Sequence, residues 1–446
     1  MLRRLWLVFL LCLHGCGTPE PKPNILLVTL DAARADHFSA YGYSRPTSPG
    51  FDKLARSGVL FQDAYSQSDW TLASLSSLLS GVEPGRHGAV TPLWALNPKV
   101  TTLPKLLVEQ GYETAMFAQS YFHEVRYGLN RGFKTYKTFP AENADAGELT
   151  NQAIRWLARN TDRPFFLWVH YFDPHAPYLP REPWYSRFHP GRYTGKFDFS
   201  SSMDPNQVVP PGAELPPDAR DQMLALYDSE IAATDAALQT LLDAVPLKRT
   251  VVCVTADHGE EFKEHGQIGH GINLQRELIH VPLVIAGPGV GPAGTRVAAT
   301  VQHVDVVPTL LELARLPTPD GLAGRSLVKL FSGQDASHPD LAFAEQMESS
   351  EFISTYSMVK RPWHLILQYG RDDLKLRGWQ LFDFVKDPLE QNNLWDPARP
   401  EQTALRDQLQ AYVKRVGGPA PPQPVVTPVD PQRMDQLRSL GYLQGE

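Results

Sequence analysis

Apolar residues along the chain come in short unbroken runs rather than in strict alternation. NILLVTL at 24–30 stops at Asp31, and comparable runs recur at 165–172, 250–255 and 282–286. Runs of this length predict strands buried on both faces. Between them, 48–57, 72–80, 103–110, 149–160, 220–244 and 304–314 carry apolar positions at helical spacing. Strands alternating with helices predict a mostly parallel α/β sheet. Ligands of such sheets gather beyond the carboxyl ends of the strands, where Asp31 and Asp257 both stand.

The pattern changes toward both ends. The segment 189–218 is rich in Pro, Asp, Gly and Ser without periodicity and reads as a long surface excursion or lid. From 333 onward, extended segments at 352–359, 364–367 and 379–384 precede a helix near 401–416. This predicts a small α+β domain over 333–416, following a larger domain over 24–332. Residues 417–431 read as a proline-laden strap, before a short terminal helix that ends in 440–443. At the other end, Arg3 and Arg4 precede LWLVFLLCL, which is too short to span a bilayer, so 1–16 reads as an export signal. Its end, Leu13-His14-Gly15-Cys16, resembles a bacterial lipobox, and 17–23 is a stiff polar tether. The expectation is an exported lipoprotein held at the cell-envelope membrane through Cys16, with an ordinary cleaved signal peptide as the alternative.

Composition narrows this little further. A chain of 446 residues, 42% hydrophobic and 20% charged, can bury one large core or two unequal ones, which excludes a small peptide, a coiled coil and a mostly disordered chain. Lys plus Arg number 42 against 49 Asp plus Glu, so no global attraction toward nucleic acid exists and no such partner is expected. Beyond Cys12 and Cys16 the chain has Cys253 alone, which allows no disulfide framework and reads as a buried strand residue.

Three separated segments present hard metal ligands or a hydroxyl at a strand end or helix start. They are Asp31, Thr71 in DWTLASLSSLLSG, and Asp257-His258 in VVCVTADHGEEF. Taken singly, an Asp after a strand is a loop or cap residue and a Thr opening a helix is an N-cap. Their conjunction carries more. NILLVTLDAARADHFSAYGY, TLASLSSLLSG, FLWVHYFDPHAPY, DHGEEFKEHGQIGHG, HVPLVIAGPG, VDVVPTLLELA and LFDFVKDPLEQNNL together resemble the sulfatase family of the alkaline phosphatase superfamily along nearly the whole chain.

The resemblance implies that superfamily's mostly parallel sheet flanked by helices, with a small C-terminal α+β domain, and an activity on anionic esters. It implies one divalent cation on Asp31, Thr71, Asp257 and His258, with Thr71 at the reacting position. Departures from the family are informative. Sulfatases proper carry Cys or Ser at that position, oxidised to formylglycine, and follow it with Pro and Arg; here the residues are Thr71, Ala73 and Leu75. Oxidation of a secondary alcohol gives a ketone, so no formylglycine is expected and the Thr71 hydroxyl itself is the expected nucleophile, activated by the cation. Ala32 stands where many members have a second metal-binding Asp, and His270 where they have Lys.

Two carboxylates, a hydroxyl and an imidazole suit Ca, Mg or Mn, with Zn possible; the resemblance leans toward Ca or Mn. His175 and His270 are the candidates for stabilising or protonating the leaving oxygen. Together with Asp173 they form an alternative site for a second cation. His170 and His265 have weaker claims, and the Arg86-His87 turn reads as solvated, with assistance to anion binding as the alternative. The expected activity is cleavage of a sulfate or phosphate mono- or diester in a small molecule, a sulfated or phosphorylated glycan or a lipid head group. The alternatives are a phospho-head-group transferase acting on envelope glycan or lipid, and a non-catalytic anion- or glycan-binding lipoprotein.

Overall fold

A computed structural model describes residues 21–140, 145–160, 162–189, 191, 193–332, 337–347, 352–371 and 373–426, together with 431, 434, 435 and 437. The expected export signal, the first tether residues and the end of the terminal helix lie outside the described residues.

The main sheet contains β1 (Asn24–Leu30), β2 (Val59–Tyr65), β3 (Glu113–Gln119), β4 (Thr135–Phe139), β5 (Phe165–Tyr171) and β6 (Thr250–Ala256). A small hairpin of β7 (Glu261–Phe262) and β8 (Ile268–Gly269) follows, before β9 (Leu283–Ala286) and β10 (Thr295–Gln302) complete the sheet. Its order is β10-β2-β9-β6-β1-β5-β3-β4, and β9 alone runs antiparallel to its neighbours among the described strands. The apolar runs occupy the centre: β1 lies between β5 and β6, and every residue of the three is buried. Helices flank the sheet, including Ala146–Leu157 and the long Pro217–Ala244.

Four strands lack the apolar signature. β2 is interrupted by Gln62 and by Asp63, whose buried carboxylate is neutralised by Arg276 and Arg361. β3 is built on Ala and Met, and β4 and β10 are edge strands with half-exposed or exposed positions. Packing against a preformed sheet, not intrinsic preference, makes these segments extended.

A second, antiparallel sheet follows in the order β11 (Ala342–Met347), β12 (Phe352–Lys360), β13 (Trp363–Gly370) and β14 (Leu376–Asp383). The helix Pro400–Val416 covers it, placing Leu405, Leu409, Tyr412 and Val413 in one cluster with Tyr356, Leu365, Leu367 and Leu381. β11 docks on the segment before Thr71, with Glu345 N donating to Gln67 O at 2.8 Å and Ser68 Oγ to Glu345 O at 2.8 Å. Among the described residues no helix is long and apolar enough to cross a membrane. The molecule is thus an α/β protein with a large, mostly parallel, helix-flanked sheet and a small C-terminal antiparallel one.

Candidate active site

Parallel pairing of β1 and β6 sets Leu30 opposite Ala256, so Asp31 and Asp257 emerge side by side at the carboxyl edge. Ala32 then adopts a left-handed φ of 54° and turns its N–H onto Asp257 Oδ1 at 3.1 Å. His258 N donates to the same oxygen at 2.8 Å. The loop after His258 is pinned by backbone pairing with 277–278, which leaves no room for a side chain at Gly259: a Cβ there would lie 1.9 Å from Glu277 O.

Thr71 opens the helix Thr71–Ser80, every residue of which is buried. Two of its serines bond within the core: Ser74 Oγ donates to Asp257 O at 2.5 Å, tying the helix to the loop of the second carboxylate, and Ser80 Oγ donates to Ser76 O at 2.6 Å. His303 lies between Ser74 Oγ and Thr255 Oγ1 at 3.3 and 3.1 Å and braces the same junction. His87 corrects the reading of a solvated turn. It is fully buried beneath this helix, its Nδ1 accepting from Ala89 N at 3.1 Å while Nε2 reaches Ala73 O and Ser77 Oγ at 3.2 and 3.0 Å.

Asp31, Thr71, Asp257 and His258, drawn from three distant segments, therefore meet in one buried place. His258 Nε2 lies 3.3 Å from Thr71 Oγ1, 3.5 Å from Asp31 Oδ1 and 3.6 Å from Asp257 Oδ2. His258 Nδ1 sits 2.9 Å from the Gly259 carbonyl, an acceptor only, so Nδ1 carries the hydrogen and Nε2 presents a lone pair. That lone pair faces two carboxylate oxygens, Asp31 Oδ1 and Asp257 Oδ2, neither of which has a hydrogen-bond partner among the described residues. Three electron-rich atoms converging in a buried site, with the Thr71 hydroxyl beside Nε2, fit a divalent cation in both charge and ligand chemistry. Burial and the Asp31 charge push Asp257 well above the usual carboxylate range, and burial with the nearby His270 keeps His258 neutral.

His175 and His270 line the same place, with ring centroids 4.9 Å apart and His270 4.3 Å from His258. Their environments differ. Burial lowers the His175 pKa, and its Nδ1 is engaged with Ala176 O at 2.6 Å. For His270 burial is outweighed by Glu260, 3.0 Å from Nδ1, which raises it above the usual imidazole range. Asp173 is not brought into a ligand cluster with these imidazoles among the described residues; its Oδ1 pairs with Arg181. Asp173, His175 and His270 thus do not form a three-ligand cluster among the described residues.

The structure also brings forward residues that the sequence reading ranked low or passed over. His170 in β5 points Nε2 at Asp31 Oδ2, 3.3 Å away, and its ligand atom groups with those of Asp31 and Asp257. Nothing in an apolar strand signals this, because the partner lies on another strand. Asp69, two residues before Thr71, accepts from Asn273 N at 3.2 Å and so ties the helix start to the His270 loop.

His265 forms a second cluster with Glu261 and Glu277. Its Nδ1 lies 2.7 Å from Glu277 Oε1 and its Nε2 3.2 Å from Glu390 O, so both nitrogens face acceptors and the ring is an imidazolium clamp rather than a ligand. Burial opposes the charge, but Glu277 outweighs it and lifts the His265 pKa to about 9. A raised folded-state pKa stabilises fully below the unfolded value near 6.5, and the gain is lost as pH rises through about 9. His265→Gln is accordingly expected to lower stability at pH 6 by at most about 3 kcal/mol and to converge on the unaltered protein by pH 10, as read by denaturant melts.

A family model described as Sulfatase matches residues 23–316, and one described as N-sulphoglucosamine sulphohydrolase, C-terminal, matches 264–416. The chain is 27% identical over 425 residues to the Delta 4,5-hexuronate-2-O-sulfatase of Bacteroides thetaiotaomicron, covering 85% of this chain and 86% of that protein. Among solved structures, one in complex with its substrate D-glucosamine-2-N,6-O-disulfate superposes with a TM-score of 0.75 at 20% identity, over 89% of this chain and 99% of the other. The phosphonate monoester hydrolase of Silicibacter pomeroyi superposes with a TM-score of 0.73 at 19% identity, over 88% and 96%.

Proposed function

The chain belongs to the sulfatase family, its model spanning residues 23–316, and we propose that this hydrolase cleaves a sulfate ester on an acidic glycan with Thr71 as nucleophile. The observation that carries the reading is the convergence of two partnerless carboxylate oxygens, an imidazole lone pair and the Thr71 hydroxyl. A cation held by Asp31, Asp257, His258 and Thr71 would lower the pKa of that hydroxyl and offset the charge of the incoming anion. A scaffold retained only for binding would have no use for a hydroxyl aimed into such a place.

Thr71 Oγ1, its hydroxyl proton passed to solvent water, attacks sulfur in line with the bridging oxygen, the S–O bond to the leaving alcohol breaks, and a sulfate ester forms on Thr71. His270 donates its Nε2 hydrogen toward the leaving oxygen, while Glu260 holds Nδ1. Water then attacks the same sulfur, one of its protons passing to His270 Nε2, the S–O bond to Thr71 breaks, and sulfate is released. No Lys or Arg contacts Asp31, Thr71, Asp257 or His258 among the described residues. A site with two carboxylates and no fixed guanidinium or ammonium favours a singly charged ester over a doubly charged one, which supports sulfate over phosphate monoester. The sulfated-glycan assignment also leans on the 2-O-sulfatase relative. The proposal includes export and acylation at Cys16, and a division into units at 24–332 and 333–416.

Purified protein stripped with EDTA is expected to lose turnover of aryl sulfate and of unsaturated uronyl 2-O-sulfated disaccharide, and to regain it with Mn or Ca. Phosphonate monoester and phosphodiester are the arms that detect the phospho-transfer alternative. Undiminished rates after chelation, or turnover confined to the phospho-substrates, sink the reading.

A further inference from the structure

In parallel register, Thr29 of β1 lies opposite His170 of β5, and Thr29 and Asp31 face the same side as Trp168 and His170. Trp168 Nε1 is 2.9 Å from Thr29 Oγ1, that oxygen is 2.8 Å from His170 Nδ1, and His170 Nε2 is 3.3 Å from Asp31 Oδ2. Thr29, Asp31, Trp168 and His170 are all at 0% exposure, so water does not compete. The His123 ring lies against that of His170, tilted by 31° with centroids 4.5 Å apart.

The chain of hydrogen bonds has one self-consistent direction. An indole N–H only donates, so Thr29 Oγ1 accepts from Trp168. An ionised carboxylate only accepts, so the His170 nitrogen facing Asp31, Nε2, carries the hydrogen. In a neutral imidazole the other nitrogen is then a lone pair, and it takes the hydroxyl hydrogen of Thr29. The reverse arrangement, with Nδ1–H donating to Thr29, leaves the threonine hydrogen without an acceptor, since its oxygen has no other partner among the described residues.

We infer that His170 is a positioning residue and not a metal ligand. Its Nε2–H holds Asp31 Oδ2 so that Oδ1 is left turned toward Asp257 and His258, and Thr29 with Trp168 fixes the tautomer that allows this. Distance alone admits His170 as a ligand, but ligation needs a lone pair on the nitrogen that here carries the hydrogen. The inference rests on the cation reading above. Partners that orient a ligating group in this way typically account for 10- to 100-fold in metal affinity.

Two measurements test it. In full-length protein labelled with 15N-histidine and stripped of metal, long-range 1H–15N correlations, assigned by loss of one ring in His170→Gln, should report the Nε2–H tautomer. Calorimetric titration with MnCl2 should show affinity falling roughly 10- to 100-fold in Thr29→Val but unchanged in Thr29→Ser, which keeps the hydroxyl. His170→Gln, whose amide N–H can still donate to Asp31, should bind Mn much more tightly than His170→Ala. An Nδ1–H tautomer, or Gln binding as weakly as Ala, overturns the inference while leaving the cation site standing. Absence of Mn binding by the unaltered protein overturns the cation reading itself.

Discussion

Thr71→Ala is expected to lower kcat by roughly 10³-fold or more on every substrate the protein turns over, without unfolding it. The substitution is locally benign. Thr71 is the first helical residue, Trp70 holds the N-cap position, and alanine is the best helix former. What is lost is the oxygen 3.3 Å from His258 Nε2. Thr71→Ser keeps a hydroxyl on the same carbon and should return most of the rate, the missing methyl costing only packing and rotamer definition. The pair separates a nucleophilic hydroxyl from a residue that merely fills space, since a packing role would be moved about equally by both changes. Peptide mass measurement on active protein is expected to find residue 71 as unmodified threonine. An activity that survives in Thr71→Ala, or an oxidised residue at 71, removes the proposed nucleophile.

How much of this was legible in the chain follows from where each signal resides. The central strands were readable because burial on both faces leaves a continuous apolar run, as in NILLVTL of β1. β2 was not, because its Asp63 is tolerated only through Arg276 and Arg361, which are remote in sequence. The ligand candidates were readable because Asp31 and Asp257 stop two such runs at the edge where parallel strands end, and because the resemblance joined them to Thr71 and His258. The resemblance supplied the conjunction; spacing alone did not.

His170 was not readable as part of the site for a related reason. It is one position in an apolar strand, and its meaning depends on register with Thr29 and Asp31, about 140 residues away. His87 shows the converse error: a Gly-Arg-His-Gly turn looks solvated until the helix above it is placed. The division of labour between His175 and His270 comes from Glu260, which sits two residues after a ligand candidate and gives no local hint of its partner. Each miss concerns a contact between segments, the level at which composition and periodicity carry no information.

The second large expectation is an opposite change in stability and function at Asp257. Asp257 Oδ1 accepts from Ala32 N and His258 N, whereas Oδ2 is buried and partnerless, facing the lone pair of His258 and the Asp31 carboxylate. In Asp257→Asn the amide oxygen can keep both backbone donors, and the amide nitrogen supplies hydrogens where none existed, toward His258 Nε2 and Asp31 Oδ1. The substitution also removes a carboxyl whose ionised form burial and the neighbouring Asp31 charge disfavour without a cation. In EDTA the variant should therefore be more stable than the unaltered protein, by about 1–3 kcal/mol. With Mn at roughly 100 times its Kd, the unaltered protein gains about 2.7 kcal/mol by mass action, while the variant, short of a charged ligand, gains much less. Turnover should fall to the level of Thr71→Ala, because the same carboxylate that destabilises the metal-free fold sustains the hydroxyl's reactivity. Melts with and without chelator read both halves together. An Asp257→Asn protein less stable than the unaltered one in EDTA, or equally stabilised by Mn, means that the two carboxylates and His258 are held together by something other than a shared cation.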